Sequence, residues 1–312
     1  HVLRWAEPPA VITPGFQLVY TASGLAASMS GMAAGDLSVP TDGFAEIVVT
    51  DDDVLSPSIV ALTESGVTPD TFTTHFGPVA ALAGVRGPSI GDVHPDAGVE
   101  IAVANLAEPA ASAVSLYDAS GTLIDDYGIS AAAGAARDTL IADVWSGEAG
   151  AELVVAIDAG LGTSSINVFS QGGSDLAAPV AYTTGTRLRT GSLASGDLDG
   201  DGEAGLFVGN GGFWSRDAAE ATAPSVHVFM ANGAGTAFDT AETVTLRFGG
   251  VERAGSAPWL AVADLGGVGP SRHPVGAVED THVPTETAPF VRHVECADCH
   301  NAHEATATPA AA

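Results

Sequence analysis

The sequence predicts an all-β fold, and three observations carry that prediction. The chain of 312 residues contains 38 glycines and 18 prolines, which suits many short strands joined by tight turns. Segments such as "PSIVALTES" and "SSINVFSQGG" alternate apolar and polar residues and end at residues that favour turns. No stretch has an amphipathic helical pattern of useful length, since the alanine-rich "AAAGAARD" is interrupted by Gly134.

Five segments of the chain repeat one pattern, in which a turn containing an aspartate precedes an apolar strand. They read "GDLSVPTDGFAEIVVTD", "GDVHPDAGVEIAVAN", "ADVWSGEAGAELVVAID", "GDLDGDGEAGLFVGN" and "ADLGGVGPSRHPVGAVED". The leading aspartates, spaced by 51 to 67 residues, are Asp36, Asp92, Asp143, Asp197 and Asp264. A period of this length is typical of a solenoid, a propeller or an array.

Three or four strands per repeat, with no helix between them, describe the blade of a β-propeller. We therefore predict a five-bladed β-propeller over residues 1–280, followed by an extended tail over residues 281–312. The fifth repeat lacks its outer pair of strands, and the N-terminal segments "HVLRWAEPPAVI" and "GFQLVYTASG" resemble that pair. A blade built from both termini closes the ring and hides its edge strands, whereas an open array is the alternative.

The repeats resemble the FG-GAP or VCBS family of propeller repeats over roughly residues 16–280. The resemblance is carried by the turn Gly-Asp-x-Asp-Gly-Asp-Gly and the apolar strand after it, and it implies calcium in that turn. Carboxylates at alternate positions of such a loop converge on one point. Asp197, Asp199 and Asp201 match the pattern, whereas Gly205 stands where the family usually has a further acidic ligand.

A second, weaker set of acidic residues follows the same pattern at Asp92, Asp96 and Glu100, and is interrupted by His94. No metal is expected at the fifth repeat. The alternative interpretation is that all of these carboxylates cap turns and solvate loops.

The charge of the chain is strongly negative. Thirty-eight acidic residues stand against ten basic residues, all of them arginine, which gives a formal net charge of −28. Such a field repels phosphate and therefore excludes binding of nucleic acid or of anionic lipid, while it favours solubility, cation binding or a saline habitat. No apolar run reaches the length of a membrane span. The ten arginines show no clustering along the sequence that would suggest a site.

The tail over residues 281–312 has a different composition, and its prolines predict an extended connector. The two cysteines of the chain, Cys296 and Cys299, are followed directly by His300. The spacing Cys-x-x-Cys-His indicates one covalently attached c-type haem. In such a site both thiols bond to the haem vinyl groups, and the histidine is the proximal ligand of the iron.

Two other kinds of site can use the same residues. A zinc ion takes four ligands, which Cys296, Cys299, His300 and His303 could provide. A redox-active dithiol lies at a helix N-terminus after a strand, and the sequence predicts no such helix here.

The segment "ECADCHNAH" resembles the haem-attachment segments of multihaem c-type cytochromes, in which Cys-x-x-Cys-His-Asn-x-His is common. The resemblance covers about ten residues and implies that His303 is the distal ligand or binds a neighbouring haem. His293 is the second candidate, because it lies three residues before Cys296. His282 and His1 are further candidates.

The remaining histidines and the methionines fall within the repeats. Met29, Met32 and Met230 could supply a sulfur ligand but are predicted to be core residues. The histidines predicted to be surface or hydrogen-bonded residues are His75, His94, His227 and His273.

Twelve residues follow His300, so the haem is expected to be covered by the propeller, by another copy of the chain or by a partner. We therefore expect an electron-transfer protein that self-associates so that the haems of successive subunits stack, as in a filament. Redox partner proteins or extracellular acceptors would complete the path. The chain begins without a leader, so an export signal is expected to have been removed, and the protein is expected outside the cell, at its surface or in a periplasm.

Two other functions remain open. The chain could be a quinone-dependent dehydrogenase whose haem accepts electrons, although the scattered arginines argue against a site for an anionic quinone. It could also be a surface adhesion module, by analogy with other proteins that carry such repeats.

Overall fold

The chain divides into two units, His1–Leu265 and Gly266–Ala312. The computed structural model describes 14 stretches of the chain, and all of them belong to the first unit. The described residues are 2–6, 15–20, 29–38, 45–53, 56–64, 72–96, 98–107, 110–129, 134–160, 162–186, 189–197, 203–210, 225–239 and 241–244. The predicted boundary between residues 280 and 281 lies outside these stretches and stays a prediction.

The described residues form an N-terminal hairpin and four larger sheets. The hairpin pairs β1 (Val2–Ala6) with β2 (Gly15–Tyr20) in antiparallel fashion. The first sheet contains β3 (Met29–Gly35), β4 (Glu46–Asp51), β5 (Ser58–Glu64) and β6 (Phe72–Ala80). The second sheet contains β7 (Val85–Gly91), β8 (Glu100–Asn105), β9 (Val114–Asp118) and β10 (Leu123–Tyr127).

The third and fourth sheets follow the same plan. The third sheet contains β11 (Ala135–Ala142), β12 (Glu152–Asp158), β13 (Thr163–Phe169) and β16 (Val180–Thr186). A two-residue hairpin of β14 (Gln171–Gly172) and β15 (Asp175–Leu176) interrupts it. The fourth sheet contains β17 (Thr190–Gly196), β18 (Gly205–Asn210), β19 (Val226–Phe229) and β20 (Glu242–Val244).

Each of the four sheets is an antiparallel meander whose strands pair in chain order. The described stretches hold one helical element, a three-residue 3-10 turn at Ala110–Ser112. The predicted all-β class is therefore confirmed, and the first four sequence repeats correspond to the four sheets. Among the described residues, no helix has the length and apolar character needed to cross a membrane.

Burial explains why the second strand of each sheet reads as a continuous apolar run. Every residue of β8, β12 and β18 is buried, and both faces of β8 and β12 are covered by neighbouring sheets. The outer strands are different: β6 is mainly exposed, and all three residues of β20 are exposed. Each sheet thus runs from a buried inner half to a solvated outer edge.

The apolar core lies between successive sheets, and alternate residues of one strand serve different neighbours. In β8, Ile101 and Val103 pack towards the first sheet, whereas Ala102 and Ala104 pack towards the third. In β12, Leu153 and Val155 face the second sheet, while Val154 and Ala156 face the fourth. The period of two in a strand lets one sheet contribute to two cores.

The strands β3, β7, β11 and β17, here called the inner strands, lie side by side across successive sheets. Their close approach depends on glycine: a Cβ atom on Gly35 would lie 2.7 Å from Ile90, and one on Gly91 would lie 2.5 Å from Ile141. Gly87 has a φ of 51° and lies against Asp138 of the next inner strand. Such contacts join the first sheet to the second and the second to the third, whereas the inner strand of the third sheet ends at Ala142.

Candidate functional site

The predicted haem site lies outside the described residues. This applies to Cys296, Cys299 and His300, and to the candidate distal ligands His303 and His293. The haem and its ligands therefore remain sequence-based predictions. The described part of the chain instead shows what the repeated turns do and which side chains the inner strands bring together.

The repeated turn has the same place in all four sheets. Asp36, Asp92, Asp143 and Asp197 directly follow the last residue of β3, β7, β11 and β17. Asp197 is exposed, and the other two residues predicted to bind calcium, Asp199 and Asp201, lie outside the described stretches. Within those stretches, no three histidine, cysteine, aspartate or glutamate side chains come close enough together to hold a metal ion.

Three buried glutamates close the turns of the first three sheets. Glu46, Glu100 and Glu152 begin the second strand and pair with the last residue of the inner strand. In the first sheet, the backbone N–H of Leu37 donates to Glu46 Oε2 at 2.7 Å. Each carboxylate thereby satisfies donors of its own turn that would otherwise be buried without a partner.

In the second and third sheets, two backbone N–H groups of the turn donate to the glutamate. The N–H groups of Val93 and His94 donate to Glu100 Oε2 at 2.8 and 3.1 Å. The interpretation of Asp92, Asp96 and Glu100 as a metal set is therefore wrong for Glu100, whose carboxylate is buried and binds backbone amides. The loop sequence resembles a cation site because carboxylates are also good acceptors for N–H groups.

In the third sheet, the N–H groups of Val144 and Trp145 donate to Glu152 Oε2 at 2.9 and 3.0 Å. Burial raises the pKa of Glu152 to about 7, against the effect of these hydrogen bonds. Burial likewise raises the pKa of Glu100. These carboxylates therefore belong to the interior of the sheets and not to a solvated loop.

The fourth sheet lacks this glutamate. Strand pairing aligns Gly205 with Gly196, the place that Glu46, Glu100 and Glu152 hold in the other sheets. A Cβ atom on Gly205 would lie 2.8 Å from the sulfur of Met230, so a methionine fills the space. The structure thus explains why the fourth turn, with its row of aspartates, differs from the other three.

Two of the three histidines in the described stretches are buried among other side chains, and one is exposed. His94 is buried, with Nδ1 and Nε2 each 3.7 Å from a carboxylate oxygen, of Asp96 and Asp175 respectively. His227 is buried and stacks on Phe229. His75 is exposed. These surroundings agree with the expectation of surface or hydrogen-bonded side chains.

Two of the three methionines do not lie where the sequence places them. Met29 is 59% exposed and Met32 is 67% exposed, so the prediction that they are core residues is wrong. Both belong to β3, whose other neighbour across the inner strands is not among the described residues. Met230 is half-buried beside Gly205.

The inner strands line a cavity of about 590 Å³, and three arginines converge on it. They are Arg86 of β7, Arg137 of β11 and Arg189, the residue directly before β17. The ten arginines do not cluster along the sequence, and three of them nevertheless line this one cavity because their strands lie side by side. We call these residues the arginine triad.

Two members of the triad are held by neighbouring carboxylates. Arg86 Nη2 donates to Asp52 Oδ2 at 3.2 Å, and Arg137 Nη2 donates to Asp158 Oδ2 at 2.8 Å. Burial lowers the pKa of Arg86, and the positive charge of Arg137 adds to that effect, so the two guanidinium groups lie within electrostatic reach. Arg189 is exposed and makes no ion pair with any described residue.

A scan against protein-family models finds no match for this chain, and a search of curated proteins finds none either. No family is therefore assigned. The functional conclusion rests on the residues of the chain and on the geometry of the described part.

Proposed function

We propose that this protein is an extracytoplasmic c-type cytochrome that carries electrons through one covalently bound haem. The observation that carries the proposal is the spacing of Cys296, Cys299 and His300, which places the only two thiols of the chain beside an imidazole. When bound, the haem supplies a one-electron redox centre. The protein attaches it through the thiols and provides His300 as the proximal ligand.

We further propose that the described sheets belong to a five-bladed β-propeller. Four meanders of four strands, joined through equivalent inner strands around one cavity, support this arrangement. The hairpin of β1 and β2 supports the idea that the N-terminus supplies the outer strands of a fifth blade.

The third part of the proposal is self-association through the haem-bearing tail. Residues 281–312 consist largely of alanine, threonine, proline and charged residues, with few large apolar side chains to cover an apolar macrocycle. A second copy of the chain would cover it, and His303, or failing that His293, would then ligate a haem across the contact. A heterologous contact of this kind repeats without closing and gives a filament.

Mass spectrometry and visible spectroscopy test the haem directly. The full chain, produced with c-type haem maturation, should gain the mass of one haem, and the reduced protein should show the spectrum of a bis-histidine haem. His303→Ala should change the axial ligation while Cys296 and Cys299 stay modified. Free thiols and a colourless protein would remove the electron-transfer proposal and leave zinc or adhesion.

A second function is favoured by one specific observation, the arginine triad. Quinone-dependent dehydrogenases need cationic side chains for an anionic quinone, and three of the ten arginines meet in one cavity. The test is to add pyrroloquinoline quinone to the full chain and to assay oxidation of sugars or alcohols. Activity that depends on the quinone and is lost in Arg137→Gln would favour the enzyme over a pure electron carrier.

A further inference from the structure

The arginine triad is unusual because the rest of the molecule is so acidic. The chain carries a formal net charge of −28 and ten arginines, yet three of these line one cavity between the inner strands. Guanidinium groups that lie close together repel each other, and two of the three are accompanied by a carboxylate. The arginines that line the cavity therefore indicate that it binds an anion.

The position of the arginines shows that the convergence is built into the repeats. Arg86 and Arg137 each lie five residues before the last residue of their strand, Gly91 and Ala142 respectively. At this position the pairing of each inner strand with its partner is irregular, with breaks between Arg86 and Ser89 and between Ala136 and Asp138. A β-bulge re-aims a side chain locally, and bulges are common beside functional sites.

Part of the hydrogen-bonding capacity of the triad is unused. Each guanidinium group has five N–H donors, and the carboxylates of Asp52 and Asp158 take one nitrogen each. Arg137 Nε is buried and has no hydrogen-bond partner among the described residues. Arg189 has no carboxylate partner within the described stretches either. The donors that remain suit the two oxygens of a carboxylate.

Counting charges around the cavity decides which anion fits. The three arginines face three carboxylates, those of Asp52, Asp158 and Asp138. Burial raises the pKa of Asp138 to about 7, although its oxygens accept the N–H groups of Leu193 and Thr139. Below that pH the cavity therefore has an excess of one positive charge, which the single negative charge of a carboxylate balances.

The opposite end of the cavity is apolar. The penultimate residues of three inner strands line this end of the cavity, namely Ala34, Ile90 and Ile141. Leu193 lines the cavity closer to Asp138, which accepts its N–H. A volume of about 590 Å³ is in the range of sites for small organic molecules. The cavity thus combines a cationic end with an apolar end, as a ligand with an acid group on an apolar body requires.

We propose that the cavity between the inner strands binds a small organic carboxylate, with the acid group at the arginine triad and the apolar body beside Ile90 and Ile141. This site is independent of the haem proposal, because none of its residues belongs to the tail. It gives a binding function to the arginine triad, which has no role in the proposed electron transfer.

Calorimetric titration of the full chain at pH 6 tests the proposal with 2-naphthoate, and 2-naphthamide serves as the matched neutral compound. We expect saturable binding of naphthoate and at least tenfold weaker binding of the amide. Inorganic phosphate is expected to bind more weakly than naphthoate. Equal binding of the acid and the amide, or stronger binding of phosphate, would overturn the proposal.

Substitutions locate the site. Arg137→Gln should weaken naphthoate binding about tenfold, the loss of one charge-assisted contact, and Arg189→Gln should weaken it about threefold. Arg189 is exposed, so its substitution leaves the fold intact and keeps the test valid if Arg137→Gln unfolds the chain. Thr73→Asp changes the net charge by the same amount at an exposed position of β6, the outer strand of the first sheet, and serves as the control that should not alter binding.

The haem and the carboxylate site can be separated in one further experiment. Cys296→Ser/Cys299→Ser removes the thiols that would hold the haem and should leave naphthoate affinity unchanged. Unchanged binding in Arg137→Gln and Arg189→Gln would place the ligand elsewhere and refute the site, whatever the outcome for the haem.

Discussion

The turns of the first three sheets differ from the turn of the fourth in where their acidic residues lie. In the first three, a glutamate at the start of the second strand accepts N–H groups of its own turn. In the fourth, Gly205 holds that place, and the acidic residues stand in the loop itself, where Asp197, Asp199 and Asp201 follow at alternate positions. The difference teaches that one buried glutamate satisfies the backbone donors of each of the first three turns, whereas the fourth turn has its acidic residues in the loop sequence, which is where calcium remains a prediction.

The largest effect is expected from removal of a turn glutamate. Glu152→Ala should lower the free energy of unfolding by about 2–4 kcal/mol, because it leaves the N–H groups of Val144 and Trp145 buried without an acceptor. Urea denaturation measures the change. Glu148→Ala, at an exposed position of the same turn, should cost less than about 0.5 kcal/mol. Equal losses in both variants would mean that the buried carboxylate has no special role.

A second experiment transfers the glutamate to the fourth sheet. Gly205→Glu alone should lose about 1–3 kcal/mol, because its Cβ atom would meet the sulfur of Met230 at 2.8 Å. Met230→Ala creates the missing space, so the double variant should be more stable than the two single losses together predict. A double-mutant cycle by urea denaturation measures this coupling. Strict additivity would show that the two sites are independent.

The pH dependence of stability separates a buried glutamate from a solvated one. The pKa of Glu152 is about 7 in the folded protein and about 4.3 in an unfolded chain. The folded state therefore binds the proton more tightly, and this contribution is complete below pH 4 and is lost as the pH rises to 7. Relative to the wild type, Glu152→Gln should gain about 1–3 kcal/mol between pH 5 and pH 8. A flat difference over this range would contradict the raised pKa.

The smallest effect concerns calcium at the fourth turn. Millimolar Ca²⁺ should stabilise the protein by about 1–2 kcal/mol, seen as a rise of a few degrees in Tm. Asp199→Asn/Asp201→Asn should abolish this rise. Asp92→Asn/Asp96→Asn should not, because Glu100 of the second turn binds backbone amides. A calcium response that survives the first pair of substitutions would place the ion elsewhere.

The regular part of the fold was predictable from the sequence. The central residues of β8 and β12 are buried on both faces and are therefore apolar, which makes runs such as "IAVA" and "LVVAI" visible in the chain. The turn aspartates mark the ends of the inner strands because the turn has the same place in every sheet. The all-β class and the four-sheet repeat follow from these two patterns.

The roles of individual polar residues were not predictable in the same way. Glu46, Glu100 and Glu152 follow the ends of their inner strands by 11, 9 and 10 residues, so the varying loop length hides their equivalence. Arg86 and Arg137 are distant in the chain and become neighbours only because β7 and β11 lie side by side. The register of the strands shows the equivalence of the glutamates and the proximity of the arginines, and a single sequence does not reveal that register.

The glycine contacts between inner strands have a consequence for how such a chain can change length. In the second sheet, Ile90 fits against Gly35 of the preceding sheet, and the next residue, Gly91, receives Ile141 of the following one. The second sheet therefore carries both halves of such a joint and closes its own turn with Glu100. Tandem duplication of this one sheet would preserve the joints, because Ile90 of the added copy would meet Gly91 of the original.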